Sequence, residues 1–323
     1  MTQQAQTQIP VGISSCLMGE EVRYNGGHKQ SRYCLQVLQD YFLLKPFCPE
    51  MAIGLGVPRE PIRLIESDGD IRHARAVGVN NSSMDVTDQL TAYGNKVTRE
   101  NQALSGYIFM KDSPSCGVFR VKVYRDNGYP SDERRAGIYA QTLIENQPNL
   151  PIEEEGRLND PFLRENFIMR VFTYHEWQNS VAKVTSAKAL VDFHSRYKYT
   201  IMAHSQPAYK ALGQLVATAG IKPLDKLNEQ YITQLMDALK TPVKRRSHCN
   251  VLQHILGYLK RDLDSPIRND LLVEIERYRK GEVHLSVPIT LMNHYIKHHG
   301  NEYIKNQSYL NPHPLELGLR NYI

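Results

Sequence analysis

Short apolar runs alternate with loops of small and turn-forming residues through the first half of the chain. Residues 9–13, 41–47 and 106–110 are β-branched or aromatic runs of the length of a buried strand. Residues 62–67 and 70–77 flank Asp68-Gly69, a hairpin signal, and 118–124 alternates as a further strand. Between them, 32–40 reads as a helix, Asp85 and Thr87 are caps for one running to residue 105, and 136–145 reads as another. Glu153-Glu154-Glu155-Gly156 and Asn159-Asp160-Pro161 break the pattern, which puts a domain boundary near residue 160. Beyond it the spacing is helical. Residues 162–178 carry Phe167, Val171 and Tyr174 on one face, and 187–219, 224–240, 247–261, 266–280 and 288–305 keep the same period.

These elements predict an α/β domain over 1–160, Rossmann-like with three layers and a largely parallel sheet, followed by an all-α domain over 161–323. A chain of 323 residues with 41% hydrophobic content suffices for two cores. No window approaches the length needed to span a bilayer, and Met1 to Gln8 lacks the regions of a signal peptide, so a cytoplasmic protein with no membrane partner is expected. Charge separates the halves. Residues 1–160 carry 17 Lys+Arg against 20 Asp+Glu, a net of −3, and residues 161–323 carry 22 against 14, a net of +8. The second half also holds 10 of the 12 histidines and 11 of the 19 tyrosines, a mixture that suits phosphate and stacked bases or, equally, a solvated helical face.

The five cysteines are odd in number and irregularly spaced, which argues against a disulfide framework. Three of them, Cys16, Cys48 and Cys116, each follow an apolar run and open into a loop: Ser14-Ser15-Cys16-Leu17-Met18-Gly19, Cys48-Pro49-Glu50 and Ser113-Pro114-Ser115-Cys116-Gly117. If the runs are neighbouring parallel strands, the three sulfurs emerge together at the carboxyl ends, where such sheets bind ligands. Ordinary buried cysteines, a zinc site with three thiolates and an open position, and a 4Fe-4S cluster with one iron lacking a protein ligand all remain readings of this trio. Cys34, in a helical stretch, and Cys249, in the second half, are weaker candidates. His294 and the pair His298-His299 have no Cys or carboxylate at ligand spacing and read as a polar helix end.

Ser15-Cys16-Leu17-Met18-Gly19 with Arg23-Tyr24, Cys48-Pro49-Glu50 and Lys111-Asp112-Ser113-Pro114-Ser115-Cys116-Gly117 resemble the TudS family of iron-sulfur thiouracil desulfidases. Residues 160–323 resemble the YbgA-like domain at His194-Ser195-Arg196-Tyr197-Lys198, at Asn250-Val251-Leu252-Gln253-His254-Ile255-Leu256-Gly257-Tyr258 and at Tyr309-Leu310-Asn311-Pro312-His313-Pro314. The pairing is similar to the RudS-type tRNA desulfidases, which convert 4-thiouridine to uridine. The resemblance implies a 4Fe-4S cluster on Cys16, Cys48 and Cys116, Glu50 as catalytic acid or base, and Ser113 as the serine that anchors the substrate. It implies thiolated tRNA as partner and hydrogen sulfide as product; a base within folded tRNA must be unstacked to expose the reacting atom, and no obligate protein partner is inferred.

With tRNA as partner, two basic clusters become candidate RNA contacts. Lys244, Arg245 and Arg246 stand before a predicted helix, and Arg196, Lys198 and Lys210 are interleaved with Tyr197, Tyr199 and Tyr209. Three other functions compete with this reading. A non-catalytic iron-sulfur RNA-binding sensor would not need Glu50 or Ser113, a desulfidase for free thiouracil would not need the basic half, and sulfur insertion would require activation of the base oxygen. No phosphate-cradling loop of the G-x-x-x-x-G-K-S/T type supports the last.

Overall fold

The computed structural model describes residues 8–67, 70–125 and 127–321. It divides into two compact units, Met1–Asn159 and Asp160–Ile323. The predicted turn at Asp68-Gly69 lies outside the described residues.

The first unit is α/β. Its elements are β1 (Ile9–Ser14), α1 (Arg32–Gln36), β2 (Phe42–Phe47), α2 (Pro49–Ala52), β3 (Ile62–Ser67), β4 (Asp70–Gly78), α3 (Thr87–Glu100), β5 (Gly106–Phe109), β6 (Val121–Tyr124), β7 (Pro130–Arg135), α4 (Ile138–Asn146) and β8 (Ile152–Glu154). Two sheets form. One is parallel throughout in the order β2-β1-β5-β8, and the other is mixed in the order β4-β3-β6-β7. Helices α3 and α4 lie between them. Tyr139 meets Tyr107 and Phe109 of the parallel sheet, while Val86, Leu90 and Ile138 pack on Leu64, Val121 and Val123 of the mixed one.

Strand β8 corrects the reading of Glu153-Glu154-Glu155 as a break. Glu153 and Glu154 are buried because their charges are matched locally. Glu153 accepts a hydrogen bond from Arg157 Nε at 2.7 Å, and Glu154 accepts from the Val118 and Phe119 amides at 2.7 and 3.3 Å. Residues 118–120 therefore belong to the loop after Cys116, and the strand starts at Val121. Helix α3 also stops earlier than expected, at Glu100, where the Asn101 side chain bonds the Val97 carbonyl.

The second unit contains α5 (Pro161–Trp177), α6 (Ala187–His204), α7 (Gln206–Val216), α8 (Leu224–Leu239), α9 (Arg245–Tyr258), α10 (Ser265–Lys280), α11 (Ser286–His299) and α12 (Glu302–Lys305). Among the described residues it has no strand. The expected single helix over 187–219 is two, because Ser205 caps α7 by accepting from the Ala208 amide and Pro207 occupies its first turn. The span 288–305 likewise splits at Gly300-Asn301. Helix α6 is the axis of this unit. Leu190, Phe193, Tyr197 and Ile201 enter one core with Trp177, Tyr231 and Leu235, while Tyr199, Met202 and Ala203 enter a second with Leu252, Ile275 and Met292.

Candidate active site

Parallel pairing brings the ends of β2, β1 and β5 side by side, and the Ser14 hydroxyl accepts the Met110 amide at 3.0 Å, tying the last two together. Cys16 sits in the 3-10 turn Ser15–Met18 after β1, Cys48 is the N-cap residue of α2 after β2, and Cys116 lies in the loop after β5. All three line one cavity of about 350 Å³, together with Glu50 and Ser113. That volume is at the lower end of ordinary small-molecule sites.

The Cys116 loop is held by close backbone approaches. The Gly117 amide bonds the Ser113 carbonyl at 2.8 Å, and the Gly137 amide bonds the Gly117 carbonyl at 2.8 Å. A Cβ on Gly137 would stand 2.5 Å from the Pro114 carbonyl oxygen, so only glycine lets α4 begin against this loop. Asp112, on the cavity wall, takes a positive φ of 59°, an uncommon conformation for a residue with a side chain. Ser113 Oγ accepts the Ser115 and Cys116 amides at 3.3 and 3.1 Å, which occupies its lone pairs and leaves its proton to donate elsewhere.

None of the cysteines forms a disulfide. Burial pushes the Cys16 thiol up to about 11, against the pull of Arg23, and the Cys48 thiol up to about 12, with Glu50 adding to the rise. Cys116 is raised well above the ordinary thiol range by burial first, then by Glu50 and by the charges of Cys48 and Cys16. Three such sulfurs become thiolates together only beside a cationic partner. Their soft donor set selects zinc, copper(I) or iron-sulfur species. Among the described residues, no group of three or more His, Cys, Asp or Glu side chains is arranged to hold a single metal ion.

Two arginines complete the wall. Arg59 Nη1 is anchored on the Val22 and Gly56 carbonyls, each at 2.9 Å, and Nη2 stands 4.0 Å from Glu50 Oε2. Arg23 Nη1 is buried and has no hydrogen-bond partner among the described residues. The Cys48 thiol donates to Glu50 Oε2 at 3.6 Å. Arg23, Lys29, Arg59 and Lys111 outnumber Glu50 and Asp112 on the lining, so the cavity favours an anionic or electron-rich occupant. The sequence reading missed Arg59 because its loop, rich in Gly and Pro, has no periodicity to aim a side chain.

The other two cysteines stand apart. Cys34 is buried in α1, and Cys249 is buried in α9, where its thiol donates to the Ile275 carbonyl at 3.8 Å. The basic candidates of the second unit divide. Arg196 is ion-paired with Glu176, which also accepts from Tyr197 OH at 2.8 Å. Tyr197 and Tyr199 are buried in the two cores, so the expected stacking surface around them is corrected: α6 turns one ring into each core, and its exposed face there carries Arg196 and no aromatic ring. Lys198 Nζ lies 5.8 Å from the Tyr209 ring centre, and Arg245 is half-buried over Tyr278. Lys210, Lys244 and Arg246 are exposed and have no ion pair among the described residues.

Comparison with known proteins follows the same division of the chain. Residues 11–155 match the family described as 2-thiouracil desulfurase, and residues 198–314 match a protein family of unknown function, DUF1722. The uncharacterized protein YbgA of Escherichia coli (strain K12) is 35% identical over 154 residues, covering 47% of this chain and 91% of that protein. The uncharacterized protein YbbK of Bacillus subtilis (strain 168) is 30% identical over 156 residues, covering 46% of this chain and 97% of that protein. A solved structure, the [4Fe-4S]-dependent thiouracil desulfidase TudS, aligns with a TM-score of 0.36 at 27% identity over 47% of this chain and 95% of its own. The chain therefore belongs, through its α/β unit, to the 2-thiouracil desulfurase family and, through its helical unit, to the YbgA-like DUF1722 family.

Proposed function

We propose that this protein is a 4Fe-4S-dependent desulfidase that converts 4-thiouridine in tRNA to uridine with release of hydrogen sulfide. The observation that carries the reading is one cavity at adjacent strand ends, lined by Cys16, Cys48, Cys116, Glu50 and Ser113. The residues fit the cluster. Three unbridged thiols supply soft donors, and the unpartnered Arg23 Nη1 offsets the negative charge that three thiolates bring. Bound there, the cluster supplies a soft acceptor for a thiocarbonyl sulfur.

The remaining chemistry falls to the chain's own groups. Loss of the Cys48 proton on ligation frees Glu50 Oε2, which then accepts a proton from a water beside the ring carbon. Arg59 keeps that carboxylate in place. The Ser113 proton, uncommitted within its loop, donates to an acceptor on the pyrimidine edge and orients the ring. Water oxygen replaces sulfur on carbon, both water protons pass to the sulfur, one of them by way of Glu50, and the sulfur leaves as hydrogen sulfide with no electrons exchanged. The exposed Lys210, Lys244 and Arg246 are the residues of the helical unit proposed to meet tRNA phosphates.

The test is anaerobic purification with iron and sulfide analysis, followed by incubation with tRNA containing 4-thiouridine and with free 2-thiouracil. Sulfide release from the tRNA is expected. Reaction of the free base alone would remove tRNA as substrate. Undiminished turnover by Glu50→Ala would remove the acid-base role of that residue, whereas no sulfide from either substrate with the native protein would favour a non-catalytic cluster protein.

A further inference from the structure

A second groove lies beside the cysteine cavity, with a volume of about 540 Å³. Ile62, Asp112 and Pro114 line both spaces, so the two are contiguous within the α/β unit. The far wall of the groove is the face of the mixed sheet turned away from the α3–α4 layer. The sheet register puts Arg63 on β3, Lys122 and Tyr124 on β6, and Arg134 on β7 on this face, because Ile65 pairs with Tyr124 and Lys122 with Arg134. Leu64, Val121 and Val123 take the opposite face and pack inward.

Among the described residues Arg63 and Lys122 stand unpaired on that wall, and Asp112 is the one carboxylate on the groove's lining. Elsewhere on the same sheet Arg75 pairs with Asp85 at 3.2 Å, and Arg125, just past the end of β6, pairs with Asp132 at 3.7 Å. Arg63 and Lys122 have no carboxylate partner among the described residues, and Arg63 Nε is buried without a hydrogen-bond partner there. The Arg63 guanidinium lies 5.5 Å from the centre of the Tyr124 ring. Residues 1–160 have a net charge of −3, so this basic and aromatic wall runs against the sign of its own unit. Cations beside an aromatic ring recognise a nucleic-acid strand, taking phosphate on the charge and a base on the ring face.

We propose that this groove binds the nucleotide adjoining the thiolated base, with its phosphate on Arg63 and Lys122 and its base against Tyr124. The inference rests on the desulfidase reading and deepens it. The α/β unit would then read a strand rather than a lone base, and a chain substrate would gain affinity that free thiouracil cannot.

The experiment uses the full-length, cluster-loaded protein and two substrates, a pyrimidine tetranucleotide with one internal 4-thiouridine and free 2-thiouracil. Arg63→Gln and Lys122→Gln are each expected to lower kcat/KM for the tetranucleotide roughly 3- to 10-fold. Each should also reduce the slope of log affinity against log salt by about 1. Turnover of the free base should hold in both. Lys96→Gln, an exposed lysine on α3, should change neither substrate. A parallel fall on both substrates, or no fall on either, would overturn the groove assignment.

Binding of an unmodified tetrauridylate, followed by fluorescence anisotropy, provides a second readout that requires no turnover. If no thiolated substrate reacts at all, the desulfidase reading fails. The anisotropy difference between Lys122→Gln and Lys96→Gln still supports the groove if present and overturns it if absent.

Discussion

The α/β unit and the helical unit use polar side chains in opposite ways. Around the cysteine cavity the sulfurs, Glu50, Arg23 and Ser113 converge on one space, and Arg23 Nη1 and the Ser113 proton leave bonding capacity unspent. In the helical unit a comparable cluster is largely paired within itself, with His313 Nε2 the one member of it left without a hydrogen bond among the described residues. Glu165 is within 3.1 Å of Arg320 Nε and 3.6 Å of His313 Nε2, Arg320 Nη1 donates to the Tyr309 carbonyl at 2.7 Å, and Tyr309 OH bonds His248 Nδ1 at 2.9 Å. The adjoining cavity, of about 30 Å³, has room for about one water. Unspent capacity marks a site that expects a ligand, and spent capacity marks a network that holds a fold.

Removing one sulfur is the strongest way to break this comparison. Cys16→Ser is expected to abolish desulfidation and reduce bound iron, while the helical unit stays folded by the fluorescence of Trp177, the chain's single tryptophan. If activity and iron content survive, the cavity is not the site. Glu50→Gln should keep the iron and lower kcat by about 10²–10⁴-fold, measured as sulfide released per cluster.

The helical network should respond to acid instead. Burial would raise Glu165, but His313 and Arg320 outweigh it and hold its carboxyl at about 2, below the usual 4.5. Burial also lowers His248 to about 3 and His204 to about 4, from 6.5. Each shift makes the unfolded chain bind more protons than the folded one, so stability present above pH 6.5 declines as pH falls below it. The Glu165 share is lost between 4.5 and about 2. Trp177 fluorescence across an acid titration checks this, and Glu165→Gln should cost about 3 kcal/mol at pH 7 and little near pH 2. An acid-insensitive helical unit would mean that its polar network is not structural.

The smallest effect concerns the surface. Lys244→Gln combined with Arg246→Gln should weaken tRNA binding several-fold and lower the salt slope by about 2, without affecting free thiouracil. An unchanged slope would place the RNA contact elsewhere.

Much of this organisation was legible in the order of residues, for local reasons. A β-branched run followed by Ser, Pro or Gly marks a strand end, so residue order alone places Cys16, Cys48 and Cys116 in loops. What misled was residue type read without a neighbour. Glu153 and Glu154 looked like a surface break, yet Arg157 and two loop amides make them a buried strand. Tyr197 and Tyr199 looked like a stacking platform, yet α6 turns one ring into each core. The missed Arg59 shows the same limit, because its partners are backbone carbonyls of Val22 and Gly56 that no spacing announces.

The sequence by itself determined the element types, the division into an α/β and a helical half, and which cysteines open into loops, since each follows from contacts within a few residues. Only the tertiary structure decided that β2, β1 and β5 lie side by side and so bring Cys16, Cys48, Cys116, Glu50 and Ser113 to one cavity. It also decided that Arg63 and Lys122 share a wall next to it. Strand order and sheet facing are set by how apolar faces pack over long sequence separations, and no local pattern carries that information.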